Sequence, residues 1–197
     1  MQKRYKYKPY NGNYYLVECP KCKKEAMVHS VSDSYCPSYD KVEFTCNNCM
    51  YHVKLSDTVL YRATVKRNCP ECGKEIYTVQ DNFKSPPDEL GVTCENCEFK
   101  ADYIPSISSY TFAPDLKGLK GDRFFSYPLW LQTEVKGNFF WAYNREHLAE
   151  IRNYVESDLR ENKCTYHMTM VNRLPEFSKA AKNRDAALKA IEKMLNR

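Results

Sequence analysis

The stretches CPKCKKEAMV at residues 19–28 and EFTCNNC at residues 43–49 each contain a Cys-x-x-Cys pair. Two later stretches repeat the pattern, CPECGKEIYT at residues 69–78 and GVTCENC at residues 91–97. A Cys-x-x-Cys turn directs two thiolates toward one point, and two such turns complete the tetrahedral coordination of zinc. We therefore predict two four-cysteine metal sites, whose ligands are Cys19, Cys22, Cys46, Cys49, Cys69, Cys72, Cys94 and Cys97.

The spacing of the four pairs predicts how they combine. The first and second pairs are 23 residues apart and the third and fourth are 21 residues apart, so the pattern repeats after about 50 residues. A repeat of this length indicates one structural unit used twice, which favours joining the first pair to the second and the third to the fourth. A cross-braced pairing remains an alternative, and so does iron, because a cage of four cysteines binds either metal.

Four thiolates close a tetrahedral site. Catalytic zinc keeps one position open for water or substrate, so we predict two structural Zn2+ ions and no enzymatic activity. The sequence also lacks phosphate-binding glycine loops, the His-Glu zincin pattern and the nucleophile elbow, and no small-molecule substrate is predicted.

The composition places limits on the type of protein. No apolar run in the 197 residues approaches the roughly 20 residues of a membrane span, and the N-terminus has no apolar signal segment. We therefore expect a cytoplasmic protein without membrane partners. In a reducing compartment, paired cysteines are more often metal ligands than disulfides, and the disulfide interpretation would require export.

The formal net charge of +5 overstates how basic the chain is. A zinc ion bound by four thiolates carries a net charge of −2, so two such sites reduce the total to +1. Residues 1–18 hold four basic residues and one acidic residue, and residues 163–197 hold eight basic and three acidic residues. Both ends are therefore basic, whereas residues 19–162 are not.

Short alternating segments beside the cysteine pairs predict small antiparallel sheets closed by metal. The predicted fold class is two tandem metal-bound β units, at 1–60 and 61–110, followed by a small α+β domain at 111–197. A segment rich in Ser, Pro and Gly at 104–122 indicates a linker. Units of this size bury too little apolar surface to fold alone, so the metal is expected to supply folding energy.

The C-terminal domain is predicted to begin with a hairpin. Its strands, at 129–135 and 139–143, are rich in aromatic and β-branched residues and flank a turn at Lys136-Gly137-Asn138.

Helices are predicted to follow this hairpin. Asn144 is a candidate cap for a helix over 145–162, whose predicted buried positions are Leu148, Ile151, Val155 and Leu159. A short helix is expected at 175–182. A final helix begins at about Asp185 with Asn183 as its cap, and its predicted apolar face comprises Ala187, Leu188, Ile191 and Leu195.

The CPKC, CNNC, CPEC and CENC motifs resemble the zinc ribbons of transcription factor IIB-type proteins over residues 17–103. This resemblance implies a fold and a metal, but zinc ribbons bind DNA, RNA and protein partners alike. Gly73 follows the third pair, as is usual in such ribbons, whereas Lys23 follows the first pair. The segment from Pro128 onward is similar to the C-terminal part of bacterial proteins described only as ribbon-containing, which implies a bacterial or phage origin.

Other cysteine and histidine residues are weaker candidates for a site. Cys36 is interpreted as an incidental loop thiol rather than a spare ligand, and Cys164 with His167 forms a Cys-x-x-His without a partner pair. His52 is expected to ligate only if Cys49 were absent, and His147 is predicted to be solvated or to cap a helix.

Two functional classes follow. In the first, the protein binds nucleic acid or a nucleic-acid machine such as RNA polymerase, because tyrosines alternate with cations in residues 3–15 and the last helix is basic. The residues predicted to contact nucleic acid are Lys3, Arg4, Lys6, Lys8, Lys179, Lys182, Arg184, Lys189 and Lys193. In the second, it is a protein-interaction module, such as a bacterial immunity protein or antitoxin that binds a toxin. A basic strand face and a solvated helix face would explain the same cations without either function.

Overall fold

The computed structural model describes residues 14–31, 38–157 and 176–197, without the side chains of residues 176 and 177. They fall into two compact units. Unit 1 comprises the described residues of 1–55 and 113–197, and unit 2 is Ser56–Phe112. The segment with the first two cysteine pairs therefore belongs to the same unit as the C-terminal segment, whereas the sequence-based boundaries place them in separate domains.

The described residues are mainly β structure. Their strands are β1 (Tyr14–Glu18), β2 (Glu25–Ser30), β3 (Val42–Thr45), β4 (His52–Lys54), β5 (Val59–Asn68), β6 (Glu75–Phe83), β7 (Leu90–Thr93), β8 (Lys100–Tyr103), β9 (Ser106–Thr111), β10 (Leu131–Val135) and β11 (Asn138–Ala142). Their α-helices are α1 (Arg145–Glu156), α2 (Glu176–Lys179) and α3 (Arg184–Leu195). Short 3-10 helices cover Tyr39–Lys41, Leu55–Thr58 and Ala181–Asn183. None of the helices in the described part of the chain is both long enough and apolar enough to cross a membrane.

In unit 1, strands β1 to β4 form an antiparallel sheet in chain order. The outer edge of β1 is bonded to the C-terminal segment. The Leu16 N–H donates to the Tyr143 carbonyl at 2.7 Å, and the Trp130 N–H donates to the Leu16 carbonyl at 2.8 Å. Val17 also bridges to Leu129. These contacts join residues more than 100 positions apart, which is why the segment with the first two cysteine pairs and the C-terminal segment form one unit.

The hairpin β10–β11 lies where the sequence predicts it. Val135 pairs with Asn138, so the loop consists of Lys136 and Gly137. Their φ angles of 51° and 74° are both in the left-handed region. This is the geometry of a type I′ turn, whose twist matches that of the flanking strands.

Helix α1 begins as predicted and ends earlier. The Asn144 side chain accepts a hydrogen bond from the His147 N–H at 2.9 Å, which caps the helix. The chain leaves the helix at Ser157, whose backbone is extended, instead of continuing to residue 162. Its predicted buried positions Leu148, Ile151 and Val155 lie in the core, whereas Leu159 is outside the described residues.

Helix α3 differs from the prediction at both ends. Asn183 precedes the helix but its side chain makes no cap hydrogen bond; its Oδ1 accepts from the Lys136 Nζ at 2.9 Å. Leu195, predicted to be buried, is 43% exposed, and Met194 is buried in its place. Because 3.6 residues make a helical turn, position 194 aligns better than 195 with the buried Ala187 and Ile191.

Unit 1 has two clusters of buried residues. The first links β1, the hairpin and the helices; it comprises Leu16, Trp130, Leu131, Phe140, Ala142, Leu148, Ile151, Tyr154, Val155, Ala187, Ala190, Ile191 and Met194. The second links the β1–β4 sheet to the loop before β10; it comprises Val17, Cys19, Ala26, Val28, Val42, Phe44, Cys46, Leu55, Phe125 and Leu129. Both clusters therefore combine residues from the two ends of the chain.

Unit 2 is built on strand β5, which pairs with β6 on one side and β9 on the other, while β7 and β8 form a separate hairpin. Its buried cluster comprises Ala63, Val65, Cys69, Ile76, Leu90, Val92 and Cys94. The predicted linker 104–122 is wrong over residues 106–111, which form β9. Ile107, Tyr110 and Thr111 give this segment the β-branched and aromatic character of a strand despite its three serines.

Candidate metal centres

The structure brings the eight paired cysteines together in two groups of four. One group is Cys19, Cys22, Cys46 and Cys49, and the other is Cys69, Cys72, Cys94 and Cys97. Within each group, all four sulfur atoms lie within 4.8 Å of one another. The sequential pairing is therefore confirmed, and the cross-braced alternative is wrong.

The sulfur spacing matches that of a tetrahedral thiolate site. The Sγ atoms are 3.7 Å apart between Cys19 and Cys49 and 3.6 Å apart between Cys22 and Cys46. Zn–S bonds of about 2.3 Å in a regular tetrahedron place the sulfur atoms about 3.8 Å apart. A disulfide needs about 2.05 Å, and all eight cysteines are free. Both clusters can thus hold a metal ion.

The second cluster repeats this spacing. Its Sγ atoms are 3.6 Å apart between Cys69 and Cys97, and also between Cys72 and Cys94. In each cluster the first cysteine of either pair is buried, and the last cysteine, Cys49 or Cys97, is exposed. Each site therefore lies at the surface of its unit with one ligand facing solvent.

All four Cys-x-x-Cys turns share one backbone conformation. In each turn, the N–H of the first cysteine donates to the carbonyl five residues later, as from Cys19 to Lys24 at 2.8 Å. The residue after each second cysteine has a left-handed backbone. These residues are Lys23 (φ 61°), Met50 (φ 56°), Gly73 (φ 71°) and Glu98 (φ 58°). Three of the four turns therefore place a side chain where glycine is favoured.

Hydrogen bonds from these turns act on the thiols. The Lys24 N–H bonds to the Cys22 sulfur and lowers the pKa of this thiol to about 6. The Tyr51 N–H acts in the same way on Cys49, but desolvation and the neighbouring thiols outweigh it and raise the pKa of Cys49 to about 12. The second cluster has the same pattern, with a pKa of about 6 at Cys72 and about 12 at Cys97.

The candidate histidines lie away from the clusters. The His52 Nε2 is 3.2 Å from the Glu43 carboxylate. His147 is buried, and its Nδ1 accepts a hydrogen bond from the Tyr143 N–H at 3.0 Å. The expectation of a solvated His147 is wrong, because the side chain is buried and its ring stacks on that of Tyr143 at a centroid distance of 4.9 Å. The alternative expectation, a histidine that caps the helix, fits the hydrogen bond from the Tyr143 N–H just before α1. Cys36, Cys164 and His167 lie outside the described residues.

The predicted nucleic-acid contacts are only partly described. Lys3, Arg4, Lys6 and Lys8 lie outside the described residues. Lys182, Lys189 and Lys193 are exposed, and Lys179 is half-buried. Arg184 is also half-buried, and its guanidinium donates to the Ser157 carbonyl at 2.9 Å. Arg184 thus connects the start of α3 to the end of α1.

Sequence reasoning missed a loop that organises the surface of unit 1. The buried Asp122 carboxylate accepts backbone N–H bonds from Phe124, Phe125 and Tyr127 at 2.7–2.9 Å. Burial raises the pKa of this carboxyl, and the three N–H groups act in the opposite direction. An Asp before two aromatic residues is the available sequence signal, since Asp side chains commonly accept from nearby N–H groups in turns.

Comparisons of this chain with protein families, with curated proteins and with solved structures found no match. The shared turn geometry and the two sulfur tetrahedra are therefore the basis for assigning a function.

Proposed function

We propose that the two four-cysteine clusters are tandem zinc ribbons of the transcription factor IIB type, each holding one structural Zn2+. In each cluster two cysteine turns from neighbouring antiparallel strand pairs meet, and two sulfur pairs are 3.6–3.7 Å apart, which supports this assignment. Metal analysis of the purified protein is expected to find two zinc ions per chain. One zinc ion per chain, or iron in the protein as purified, would contradict the proposal.

The proposed role of the metal is non-catalytic. Four thiolates fill a tetrahedral zinc shell and leave no position for water or substrate. Bound zinc would stabilise each unit by holding its two cysteine turns together. Backbone N–H donors of the chain, such as that of Lys24, would stabilise the thiolates.

We further propose that unit 1 binds nucleic acid or a nucleic-acid machine of the transcription type. The observation that supports this most is the division of charge. Residues 1–55 and 113–197 hold 24 Lys and Arg and 16 Asp and Glu, a formal charge of +8, whereas residues 56–112 hold 6 and 9, a charge of −3. With a charge of −2 for each zinc site, the two units have charges of about +6 and −5. The net charge of the whole chain is thus nearly neutral, although unit 1 is distinctly basic.

A titration of the zinc-loaded protein with DNA and RNA oligonucleotides at two salt concentrations tests this function. Phosphate contacts release counterions, so affinity is expected to fall steeply with salt. If the protein binds none of the oligonucleotides at low salt, nucleic-acid binding is excluded.

A protein partner is the second candidate function, and unit 2 carries the observation that favours it. This acidic unit exposes large apolar side chains, including Ile104 at 85%, Phe112 at 75% and Tyr77 at 65%. Contiguous exposed apolar side chains mark protein-binding surfaces, and these three residues are candidates for such a surface. An immunity protein or antitoxin would use them to bind a basic toxin. Co-purification with the product of a neighbouring gene, lost in an Ile104→Ser/Phe112→Ser variant, is the result expected for this function.

A further inference from the structure

Four aromatic rings from distant parts of the chain form a row in unit 1. Trp141 and Tyr143 have ring centroids 4.9 Å apart, Tyr143 and Tyr15 are 5.1 Å apart, and Tyr15 and Phe124 are 5.9 Å apart. All four rings pack against the second buried cluster of unit 1 and are partly exposed. We refer to Trp141, Tyr143, Tyr15 and Phe124 as the aromatic row.

A cation lies on the ring at each end of this row. The Arg123 guanidinium is 4.9 Å from the Phe124 centroid, and the Lys120 Nζ is 5.5 Å from the Trp141 centroid. Both cationic residues are exposed. Cations held on aromatic faces keep their charge available to an anion while losing much of their rotational freedom.

Lys120 differs from most arginine and lysine residues around it. Arg145 forms an ion pair with Glu25 at 2.7 Å, and Arg197 and Lys23 lie near Glu18 at 3.6 and 3.7 Å. Across the described ranges, no carboxylate oxygen lies within 4.0 Å of the Lys120 Nζ. None of the described side chains therefore neutralises this positive charge.

The backbone that carries both cations is fixed in place. The Lys120 N–H donates to the Gln132 Oε1 at 2.9 Å, and the Lys120 carbonyl accepts from the Leu129 N–H at 2.8 Å. Three N–H bonds to the Asp122 carboxylate hold the loop that presents Arg123 and Phe124. A surface ordered before binding loses less entropy when a ligand binds, which favours affinity.

We propose that the aromatic row is a binding site for single-stranded nucleic acid, with Lys120 and Arg123 contacting phosphates and the rings at the two ends of the row, Trp141 and Phe124, stacking bases. Partly exposed rings flanked by cations are the combination that single strands require, because every base has a face that can stack and every nucleotide has an anionic phosphate. The guanidinium of Arg123 offers a further plane for stacking. This inference rests on the proposed nucleic-acid function and assigns it to residues other than those predicted from sequence.

Two charge-matched double variants of the zinc-loaded protein test the site. Lys120→Glu/Arg123→Glu removes both cations of the row, and Lys189→Glu/Lys193→Glu makes the same charge change on the exposed face of α3. With a fluorescently labelled oligothymidine at low salt, the row variant is expected to lose at least about ten-fold in affinity and to show a shallower salt dependence. The α3 variant is expected to change affinity by less than about three-fold.

Tryptophan fluorescence supplies a second measurement. The chain has two tryptophans, and Trp130 is buried, so a Trp130→Phe variant leaves Trp141 of the row as the only reporter. Oligothymidine is expected to quench this emission as a base stacks on the ring.

The possible outcomes distinguish failure of the aromatic row as the binding site from failure of the nucleic-acid function. If the wild-type protein binds neither the oligothymidine nor any other oligonucleotide, the nucleic-acid function fails and the site with it. If the wild type binds but the α3 variant loses the affinity while the row variant keeps it, the function stands and the aromatic row is the wrong site. Preference for duplex over single strands, without quenching of Trp141, would also overturn the proposal.

Discussion

Unit 1 and unit 2 each contain a four-cysteine cluster of similar geometry, but the buried cores beside these clusters differ. Both clusters have sulfur spacings of 3.6–3.7 Å and the same hydrogen-bonded turns. In unit 1, the buried clusters draw residues from β1–β4, the hairpin β10–β11 and both longer helices. In unit 2, the core consists of seven buried residues, two of which are the ligand cysteines Cys69 and Cys94.

This difference indicates two roles for one motif. Small units bury too little surface to offset the entropy of folding, so we expect unit 2 to depend on a bound metal ion for its folded state. Unit 1 has an apolar core that does not include its metal cluster, namely the one formed by β1, the hairpin and the helices. A metal ion in unit 1 would then hold together the cysteine turns of a unit whose apolar core already favours the folded state.

Removal of metal is expected to have the largest effect on stability and to affect the two units differently. Structural zinc supplies about 10–16 kcal/mol in small zinc-dependent peptides at neutral pH. A chelator should therefore unfold unit 2, while α1 and α3 of unit 1 keep their structure. Hydrogen exchange followed by peptide is the measurement, with loss of protection expected over β5–β9 and retention over Ile151 and Ile191.

A pair of ligand variants serves as the control for chelation. Cys94→Ser should abolish protection in unit 2 alone, and Cys46→Ser should reduce protection in unit 1, most around β3 and β4, while α1 and α3 stay folded. If Cys46→Ser unfolds α1 and α3 as completely as chelation unfolds unit 2, the two roles are not different.

Phe44 tests whether the β1–β4 sheet and the helices form one cooperative unit. This fully buried ring lies between Tyr51 and Tyr127 at centroid distances of 5.4 and 5.2 Å. Truncating a buried phenylalanine costs about 3–5 kcal/mol, so Phe44→Ala should lower the melting temperature of the helical circular-dichroism signal. Phe139→Ala, at a ring that is 39% exposed in the same unit, should cost under about 1 kcal/mol. An unchanged helical transition in Phe44→Ala would mean that the sheet and the helices unfold separately.

Local signals in the sequence predict the turns and one helix start, because these depend on a few adjacent residues. Lys136-Gly137 and Asn144 behave as their chemistry indicates. The pairing of β1 with the C-terminal segment leaves no such local signal, since it joins Leu16 to Trp130 and Tyr143. The Cys-x-x-Cys spacing is likewise a local signal, so it predicts both metal clusters. The aromatic row joins residues that are far apart in the sequence, so it becomes visible only in the folded chain.

Asp122 stabilises unit 1 independently of its cysteine cluster, because its buried carboxylate holds a loop of that unit in place. Asp122→Ala leaves three N–H groups without their acceptor and is expected to cost about 2–4 kcal/mol. Asp115→Ala is the matched control, since this exposed carboxylate accepts one N–H bond, from Lys117 at 3.0 Å, and should cost under about 1 kcal/mol. Chemical denaturation of the zinc-loaded proteins measures both values, and equal costs for the two variants would show that the Asp122 bonds do not hold the loop.

The smallest expected effect concerns Lys23 and Gly73, which occupy the same position in the two units. Both have left-handed backbones, at φ angles of 61° and 71°, and nothing lies within 4 Å of a Cβ built at Gly73. The left-handed conformation costs a residue with a side chain about 1–2 kcal/mol, part of which glycine loses again through its greater freedom in the unfolded chain. Lys23→Gly should therefore stabilise unit 1 by about 0.5–1 kcal/mol, and Gly73→Lys should destabilise unit 2 by a similar amount. Thermal unfolding of the zinc-loaded proteins measures both changes; shifts of the same sign would show that the two turns are not equivalent. Because unit 2 has the smaller core, the strain that Gly73→Lys introduces should also lower its resistance to chelators.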